Sequence, residues 1–505
     1  MGLKKDTPVA DICLIAEGTY PFVTGGVSSW IHMLITSLPE KTFSILHISS
    51  SHAENPDYKY ELPDNIVSMV RVSLHDSILH ENETPGKRNE KKAYADIYNF
   101  HKELANKDFS GFDKIFKHLC SSGERATNTN RILKSKDTWT TILKMYKEKN
   151  LQSSFIDYFW TWRFVHLPVF QMLNAELPPA RIYHTVSTGY AGLIGVLAKF
   201  KYQAPLLLTE HGIYAKERDI EIRRAEWIHN ELPQQLLPQR SIGVFKEIWT
   251  KLFRSFSQLV YEYADKIITI SNQNQQLQLE HGADPLKCMI IPNAIDTSRF
   301  KSQPGDDALD RKIRIGFVGR VVPIKDVKTL IKACKLVSIR FEEAEFLIMG
   351  PLDEDEEYAV ECKELTAMLQ LESKVKFLGR VNVKDYYPKL SVSVLTSISE
   401  GQPLTILEGM AAGVPTVSSD VGACKELLYG RTEEDKALGK SGIITNIGSP
   451  GETSEAICEI ISDREMLSRM VESGYQRVEK YYRDELLIKS YRDLYNHYSE
   501  LADKT

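Results

Sequence analysis

The sequence predicts an α/β protein of two domains, each a parallel β-sheet covered by helices. Two observations lead to this prediction. The chain has 505 residues, more than one hydrophobic core usually organises, and its hydrophobic (42%) and charged (26%) fractions are typical of a globular protein. Short apolar segments that end in small or polar residues also alternate with amphipathic segments, which is the βαβ pattern of parallel sheets.

The first domain, predicted over residues 1–300, opens with a strand, a glycine-containing loop, a helix and a second strand. These elements are DICLIAEG (11–18), TYPFVTGGVSSW (19–30), IHMLITSLP (31–39) and FSILHIS (43–49). Further strands are predicted in ARIYHTVSTGYAG (180–192), PLLLTEHG (205–212), KIITIS (266–271) and CMIIPNAID (288–296). Because ligands bind at the carboxyl ends of the strands in open α/β sheets, we expect a site at the residues that end these segments.

Residues from about 75 to 175 interrupt this alternation. They are rich in Lys, Glu, Asn and aromatic residues, with helical spacing in patches, which indicates a helical insertion in the first domain. An aromatic stripe within the insertion is more typical of a packed core than of a sugar-binding platform. Its members are Phe155, Tyr158, Phe159 and Trp162.

The second domain, predicted over 301–480, follows a linker around TSRFKSQPGDDALDRK (297–312), which is rich in turn residues and charges. Its predicted strands are KIRIGFVGR (312–320), AEFLIMG (344–350), VKFLGR (375–380), VSVLTS (392–397) and VPTVSS (414–419). Helices are predicted around DVKTLIKACKLVSIR (326–340), DYYPKL (385–390) and ILEGMAAG (406–413). Charged amphipathic helices follow, and we expect the last one (481–505) to pack back on the first domain. The simplest assembly is two Rossmann-like domains that face one another across a cleft.

The charge balance and the cysteines argue against several functional classes. A net charge of −5, from 63 basic and 68 acidic residues, provides no basic face for nucleic acid. Seven dispersed cysteines without C-x-x-C spacing favour a reducing compartment over a disulfide framework or a zinc site. No uncharged apolar run approaches the roughly 18 residues of a membrane span, and the amino terminus lacks the features of a signal peptide. The sequence therefore predicts a cytoplasmic protein, unless a partner holds it at a membrane.

The segment most informative about chemistry is SISEGQPLTILEGMAAGVPTVSSDVG, residues 397–422. Glu400 lies in the loop after a strand, and Glu408 lies eight residues later, within the following helix. The two carboxylates therefore belong to one loop-and-helix element but reach different parts of a ligand.

Four residues between the glutamates indicate where an anion would bind. Gly401 allows a ligand to approach the backbone closely, and Pro403 suits the first position of the helix. The amides of Leu404 and Thr405 then point out of a helix N-terminus, where phosphate is favoured. The pattern predicts a pyrophosphate site with a carboxylate on either side.

In this context, the spacing of Glu400 and Glu408 resembles the signature of the family-4 retaining glycosyltransferases of GT-B fold. The resemblance implies that Glu400 contacts the donor sugar and that Glu408 binds the ribose hydroxyls. The ribose role is chemically sensible, since one carboxylate can accept hydrogen bonds from two vicinal hydroxyls.

A second match to this family is GFVGRVVPIKDVKTLIKA, residues 316–333. It implies that Arg320 and Lys325 bind the diphosphate and neutralise the charge that builds up on the leaving group. The chain departs from the family here, because it has Asp326 where glycine is more common.

Three further segments extend the resemblance. Gly25 and Gly26 follow the first strand, and the corresponding glycine loop of the family closes over the donor diphosphate. His211 follows a later strand, at a position where the family has a histidine that contacts the donor sugar. Arg380 and Val381 lie at a strand end where the family reads the uracil through backbone atoms.

Two other groups of charged residues carry weaker predictions. Arg218, Glu221 and Arg223 either line an acceptor channel or belong to plain helix surface, and the sequence leaves both interpretations open. The acidic run 353–355 superficially resembles a metal-binding Asp-x-Asp, but its place at a helix start favours a solvated surface. We therefore expect neither a metal nor a cofactor, and the donor UDP-sugar is treated as a substrate.

At finer grain the chain resembles the PelF subgroup, the cytosolic glycosyltransferases of Pel exopolysaccharide synthesis. The resemblance lies in EGTYPFVTGGVSSWIHMLI (17–35), TEHGIYAKERDIEIR (209–223) and GRVVPIKDVKTLIKAC (319–334). It implies transfer of a hexose or N-acetylhexosamine from a UDP-sugar to a growing saccharide acceptor, together with a membrane-embedded export complex as partner. Two alternatives stay open: a UDP-sugar epimerase or hydrolase of the same fold, and a non-catalytic subunit of a polysaccharide secretion complex.

Overall fold

The structure of the chain is a computed structural model that divides into two compact units. It describes residues 8–50, 57–74, 98–99, 109, 111–112, 135–149, 154–173, 175–225, 243–300 and 312–503. The first unit comprises Met1–Thr269, Gln276–Met289 and Arg492–Thr505, and the second comprises Ile270–Gln275 and Ile290–Tyr491.

The first unit is built on a parallel sheet. Within the described residues its strands are β1 (Ala10–Glu17), β2 (Phe43–Ser49), β3 (Ile66–Ser73), β4 (Ala180–Thr185), β5 (Leu206–Glu210), β6 (Lys266–Thr269) and β7 (Cys288–Ile290). They lie in the order β3-β2-β1-β4-β5-β6-β7, and the pairs from β3 to β6 are parallel. The accompanying helices are α1 (Gly26–Thr36), α2 (Lys136–Glu148), α3 (Phe155–Leu173), α4 (Tyr190–Tyr202), α5 (Tyr214–Arg224), α6 (Val244–Tyr263) and α7 (Asn272–Glu280).

The second unit is built on another parallel sheet. Its described strands are β8 (Arg314–Val318), β9 (Glu345–Met349), β10 (Val375–Gly379), β11 (Val392–Leu395), β12 (Thr416–Ser419) and β13 (Gly442–Thr445), in the order β10-β9-β8-β11-β12-β13. The helices that follow in the chain are α8 (Val327–Arg340), α9 (Glu356–Met368), α10 (Leu404–Ala411), α11 (Cys424–Tyr429), α12 (Glu433–Lys436), α13 (Pro450–Ser462), α14 (Arg464–Tyr481) and α15 (Asp484–Ala502). Helices α7 and α15 contribute residues to both units.

Burial explains why the apolar segments form parallel strands. β1 is buried along almost its whole length, and β5 and β12 are buried throughout. A strand that helices cover on both faces reads as a continuous apolar run, without the alternation of a half-exposed strand. The segment DICLIAEG has this composition, which is why the sequence was sufficient to predict β1.

The described part of the predicted insertion is helical, in α2 and α3. On α3, Tyr158 and Trp162 are buried, and Phe155 and Phe159 pack against the same core, so the assignment of the aromatic stripe to the core is confirmed. No helix within the described ranges combines the length and the apolar character needed to cross a bilayer. The rest of the insertion and linker residues 301–311 lie outside the described residues.

One predicted helix and two strands of the described part of the chain differ from the sequence predictions, and α1 begins at Gly26, five residues before the predicted start at Ile31. The helix predicted around DYYPKL is wrong: the chain forms two short 3-10 turns there, Val383–Asp385 and Tyr387–Lys389. Pro388 lies in the second turn, and a proline cannot donate the backbone hydrogen bond that continues an α-helix. The strands β3 and β13 were not predicted at all.

Candidate functional site

The loop that follows β11 brings Glu400 and Lys325 together. The Lys325 Nζ atom lies 2.5 Å from Glu400 Oε1, and the Ser397 hydroxyl donates to the same oxygen over 2.5 Å. Both charged side chains are largely buried, with 17% of Lys325 and 11% of Glu400 exposed. The Thr396 hydroxyl, which lies 3.1 Å from the Lys325 carbonyl oxygen, ties the lysine loop to the end of β11. The structure therefore joins two predicted site residues that are far apart in the sequence.

Neighbouring loops fix the backbone on which Glu400 lies. The Ser419 hydroxyl donates to the Ser397 carbonyl over 2.5 Å, and the Ala423 amide donates to the Gly401 carbonyl over 2.8 Å. Gly422 has φ +53°, and a Cβ atom there would lie 2.2 Å from the Glu400 carbonyl oxygen. Only glycine therefore allows the loop after β12 to pass so close to Glu400.

The helix N-terminus after this loop begins one residue later than the sequence suggested. Pro403 is the residue before α10 and Leu404 is its first residue, so the expectation of proline at the first helical position is wrong by one position. Leu404 and Thr405 are the first two residues of α10, so their amides lie in the first turn, where a helix leaves N–H groups without internal acceptors. The Leu404 side chain is 40% exposed, so solvent reaches this helix start. An anion is favoured at such a place.

Gln402, which the sequence did not single out, anchors this helix start. Its side-chain oxygen accepts from the Asn293 amide over 2.8 Å, and its Nε2 atom donates to the Asn293 carbonyl over 3.3 Å. The buried amide thus pairs with the backbone of the IPNAID segment. In the sequence, Gln402 could have been noticed as a polar residue between Gly401 and Pro403, directly before the predicted helix.

Glu408 lies within α10, beside Tyr387. The Tyr387 hydroxyl lies 3.1 Å from Glu408 Oε2 and 3.1 Å from the Thr405 carbonyl oxygen. Burial raises the pKa of Glu408, and the Tyr387 hydrogen bond and the charge of Arg299 partly offset that rise. The sequence did not single out Tyr387, because it comes from a different segment.

The two predicted arginines of the second unit are exposed and bound to the acidic run. Arg320 Nη1 lies 2.9 Å from Glu354 Oε2, and Arg380 Nη2 lies 3.2 Å from Asp353 Oδ1. The third acidic residue, Asp355, accepts from the Tyr358 amide at the start of α9. The acidic run therefore makes two ion pairs and one helix cap. The two cations predicted to bind the diphosphate have different partners, since Arg320 pairs with Glu354 and Lys325 pairs with Glu400.

Val381 follows Arg380 at the end of β10. It is partly buried and packs against the core that includes Leu347 and Met349. The Gly379 carbonyl, two residues earlier, accepts from the Gly350 amide over 2.8 Å. The exits of β9 and β10 are thus held together by a backbone hydrogen bond.

In the first unit, Gly25 and Gly26 form the start of α1. Gly25 precedes the helix and Gly26 is its first residue. A Cβ atom at either position would meet nothing within 4 Å, so this helix start is open.

His211 follows β5 and contacts the same helix. Its ring packs edge-on against Trp30 of α1, with 4.8 Å between the ring centres. Burial lowers the pKa of His211 to about 4, so the imidazole is neutral at pH 7.

The residue before His211 is a buried carboxylate that the sequence analysis did not single out. Glu210 accepts from the Tyr261 hydroxyl over 2.8 Å, from Gln278 Nε2 over 2.9 Å and from the Thr188 hydroxyl over 3.2 Å. Burial raises its pKa, although these hydrogen bonds lower it in part. The available signal was a charged residue at the end of the apolar strand LLLTE.

The charged residues of α5 pair with other charged groups in the first unit. Arg218 lies 2.5 Å from Glu221 and 3.8 Å from Glu17, and Arg223 lies 2.8 Å from Asp219. Glu17 ends β1, so Arg218 is placed at the same sheet edge as His211. This placement keeps the acceptor-channel interpretation of Arg218 open.

Two family descriptions match the chain in succession. Residues 10–286 match the family described as a domain of unknown function, DUF3492. Residues 299–477 match the family described as glycosyl transferases group 1.

The sequence relatives include D-inositol 3-phosphate glycosyltransferases of Geodermatophilus obscurus and Kribbella flavida. The first is 25% identical over 57% of this chain and 61% of its own length, and the second is 26% identical over 48% and 56%. The chain thus spans about three fifths of the length of the curated relatives that it matches.

Solved structures similar to the chain show its fold. The crystal structure of Anabaena HepE in complex with UDP has a TM-score of 0.58 and 14% identity, over 96% of this chain and 100% of that one. Sucrose-phosphate synthase from Thermosynechococcus elongatus has a TM-score of 0.57 and 16% identity, over 97% of this chain and 98% of that one. With the two parallel sheets, these likenesses confirm the predicted fold class.

Proposed function

The chain belongs to the DUF3492 family and carries a glycosyl transferases group 1 domain, and on this premise we propose that it is a retaining, UDP-sugar-dependent glycosyltransferase. The transferred group is a hexose or an N-acetylhexosamine, and the acceptor is a growing exopolysaccharide chain. The observation that carries the proposal is the Lys325–Glu400 pair next to the open N-terminus of α10.

Lys325 and the start of α10 suit the departure of a nucleoside diphosphate. A lysine ammonium and the first amides of a helix both stabilise negative charge that develops on a leaving phosphate. Glu400, held by Lys325 and Ser397, keeps hydrogen-bond acceptor capacity for the hydroxyls of the donor sugar. For Arg320 we propose diphosphate binding as well, after exchange of its exposed contact with Glu354.

Uridine is the proposed nucleoside for two reasons. HepE, which shares the fold, was crystallised with UDP and with UDP-glucose. The resemblance to family-4 enzymes also assigns ribose binding to Glu408 and uracil binding to the backbone at Arg380 and Val381. For His211 and the Gly25–Gly26 loop we propose contacts with the donor sugar and the diphosphate, respectively.

We propose retention of configuration, with departure of UDP on the face that the acceptor attacks. The bond between the anomeric carbon and the phosphate oxygen breaks, and its electron pair leaves with UDP. The acceptor hydroxyl oxygen forms the new glycosidic bond, and its proton passes to a phosphate oxygen of the departing UDP. Lys325 and the amides of Leu404 and Thr405 hold the negative charge throughout.

The Pel-type exopolysaccharide as product is the finer part of the proposal. It rests on the PelF-like segments of the sequence, as do a cytoplasmic location and recruitment to the membrane by an embedded export complex. A metal-independent reaction is proposed because the acidic run 353–355 makes two ion pairs and caps a helix.

The experiment is release of UDP by the purified full chain from a panel of UDP-hexoses and UDP-N-acetylhexosamines. It is run with and without EDTA, with and without saccharide acceptors. We expect turnover of one donor to survive EDTA and to fall about a hundred-fold in Glu400→Gln, while UDP affinity changes little. The matched control is Glu465→Gln, which removes an exposed carboxylate paired with Arg469 and should leave turnover unchanged.

Other outcomes favour the alternatives. UDP release without any glycosylated product, or interconversion of the donor, would favour a hydrolase or epimerase. UDP binding without turnover of any donor would favour a non-catalytic subunit. Absence of UDP binding would overturn the proposal.

A further inference from the structure

Two tyrosines, one exposed and one partly buried, lie beside the open start of α1 in the first unit. We define the tyrosine platform as Tyr58 and Tyr60, which belong to the segment between β2 and β3. Tyr58 is 55% exposed, although its ring stacks on Phe22 with 5.3 Å between ring centres and an 18° interplanar angle. The buried Phe22 occupies one face of the Tyr58 ring, so the exposed area of Tyr58 lies away from the core.

Several contacts hold the platform against the glycine loop. The Lys59 amide, between the two tyrosines, donates to the Pro21 carbonyl over 3.0 Å. The hydroxyl of Tyr60 lies 3.1 Å from the Ser29 hydroxyl in the first turn of α1. The Tyr60 ring also packs against Tyr20, with 5.3 Å between the ring centres. The platform is therefore built into the fold and is continuous with the loop of Gly25 and Gly26.

The Phe22 ring, which stacks on Tyr58, is held in place by two further side chains. The His47 ring packs edge-on against it at 4.7 Å, and the Arg71 guanidinium lies 5.1 Å from its ring centre. Burial lowers the pKa of His47 to about 4, so this support is a neutral ring at physiological pH. An exposed aromatic ring backed by such fixed groups loses little conformational entropy when a ligand covers it.

The chemistry of this surface matches a saccharide. A pyranose presents an apolar face of C–H groups and an edge of hydroxyls. The exposed Tyr58 ring can cover the apolar face, and the hydroxyls of Tyr60 and Ser29 can donate to and accept from the edge. The two tyrosines of the platform and the neighbouring Ser29 are all uncharged. These three groups therefore give a charged ligand no advantage over a neutral one.

The platform also lies near a residue of the proposed reaction. Helix α1 carries Ser29 on the platform side, and the next residue, Trp30, packs against His211. One helix turn thus contacts both the tyrosines and the histidine that we place at the donor sugar.

We propose that the tyrosine platform is a subsite for the acceptor, and that it binds sugar units of the growing chain beyond the one that receives the new residue. The inference rests on the proposed function and deepens it. Because the subsite lies outside the reacting unit, it makes affinity depend on the length of the acceptor.

The experiment measures binding of the full chain to oligosaccharides of one to six units. Three series are used as probes: glucose, N-acetylglucosamine and N-acetylgalactosamine oligomers. We expect affinity for at least one series to rise with length, by about ten-fold from one to four units, and Tyr58→Ala to abolish that rise. Tyr58→Phe, which keeps the ring, should retain it.

Two controls separate the subsite from general effects. Tyr475→Ala removes a tyrosine that is 37% exposed on α14 of the second unit, and it should bind oligosaccharides as the wild type does. UDP affinity should be equal in all variants. If Tyr58→Ala lost UDP affinity as well, Tyr60→Phe would decide, since it removes one hydroxyl and should reduce the length dependence alone.

Three results would overturn the inference. They are no binding of any series, affinity independent of length, and equal length dependence in the wild type and Tyr58→Ala. Each of these can occur while UDP release still depends on Glu400, so failure of the subsite is distinguishable from failure of the proposed function.

Discussion

Glu400 and Glu408 share one loop-and-helix element, but different groups surround them. Glu400 accepts hydrogen bonds from the Lys325 ammonium and the Ser397 hydroxyl. Glu408 accepts a hydrogen bond from the Tyr387 hydroxyl, and burial raises the pKa of Glu408. The protonation of Glu408 therefore changes closer to neutral pH than that of an ordinary glutamate.

The raised pKa predicts a pH dependence of nucleotide binding. As pH falls, Glu408 takes up a proton at a higher pH than an ordinary glutamate does, and it then loses an acceptor for the ribose hydroxyls. We expect the UDP affinity of the wild type to fall with decreasing pH more steeply than that of Glu408→Gln, which should bind about ten-fold more weakly at pH 7. Calorimetric titration at several pH values measures both proteins.

The titration of UDP itself is common to both proteins, so their difference isolates Glu408. The two affinity curves should converge as pH falls. Parallel curves would show that the charge of Glu408 does not act on the nucleotide.

At the residue scale, the sequence predicted Glu400, Glu408 and Lys325 as site residues, but it did not single out Ser397, Tyr387 or Gln402, whose hydrogen bonds hold the same loop-and-helix element. Glu400 and Glu408 were visible because their spacing belongs to one short segment. Tyr387 and Gln402 act through contacts with segments that are distant in the chain, and no local pattern indicates such contacts. The same limit applies to Arg320, whose contact with Glu354 follows from the packing of two loops.

At the scale of elements, the exits of the strands in the second unit are packed backbone against backbone. The Gly319 amide donates to the Met349 carbonyl over 2.9 Å, and a Cβ atom at Gly350 would lie 1.9 Å from the Gly319 carbonyl oxygen. Gly422 makes a similar approach to Glu400. Glycines at these positions let the loops converge on one edge of the sheet.

This packing predicts that Gly422→Ala impairs catalysis. The added Cβ atom would collide with the Glu400 carbonyl and displace the carboxylate from Lys325, so we expect turnover to fall about ten-fold or more. The matched control is Gly448→Ala, at φ +66° with open space around the Cβ position. Both substitutions carry the left-handed backbone cost of about 1–2 kcal/mol, but only Gly422→Ala has the collision.

UDP release under saturating donor compares the two variants. Equal turnover in Gly422→Ala and Gly448→Ala would contradict the role given to the collision. A loss confined to Gly422→Ala would support it.

Strands buried on both faces were predicted well, whereas two of the four edge strands of the described sheets, β3 and β13, were not predicted. β1, β2 and β8 read as apolar runs, whereas β3 is an edge strand with polar residues and mostly partial burial. β13 is an edge strand of the second sheet, and its two middle residues are only partly buried. Short or half-exposed strands owe their conformation to the neighbouring strand, which a local sequence does not contain.

At the scale of the whole molecule, the first unit is discontinuous in sequence and includes the end of α15. The Tyr495 hydroxyl lies 2.7 Å from Nδ1 of the buried His184 on β4. Arg492 Nε donates to Glu40 over 2.8 Å, and the Tyr498 hydroxyl donates to the Asp265 carbonyl over 3.1 Å. These contacts join the carboxy-terminal helix to segments from three different parts of the first unit.

Substitution of Tyr495 tests how much this helix stabilises the first unit. Tyr495 is completely buried, so Tyr495→Ala should lower the free energy of unfolding by about 3–5 kcal/mol. Tyr495→Phe keeps the ring and removes one hydrogen bond to His184, and it should cost about 1 kcal/mol. Hydrogen exchange of the β4 amides during urea titration measures both effects within the first unit.

A control substitution at exposed Tyr475, Tyr475→Phe, should leave β4 exchange unchanged. If the β4 amides of Tyr495→Ala exchanged at the same rate as those of the wild type, the conclusion would be that α15 does not stabilise the first sheet.

The return of the chain to its first unit sets an order on biosynthesis. A ribosome releases β1 to β6 early, but Arg492, Tyr495 and Tyr498 emerge only after the whole second sheet has been made. While translation continues, the surface around His184 and Asp265 must therefore stay open in the nascent chain. The first unit begins to fold first and is completed last, so chaperones that bind exposed apolar surface have the longest access to the half of the molecule synthesised first.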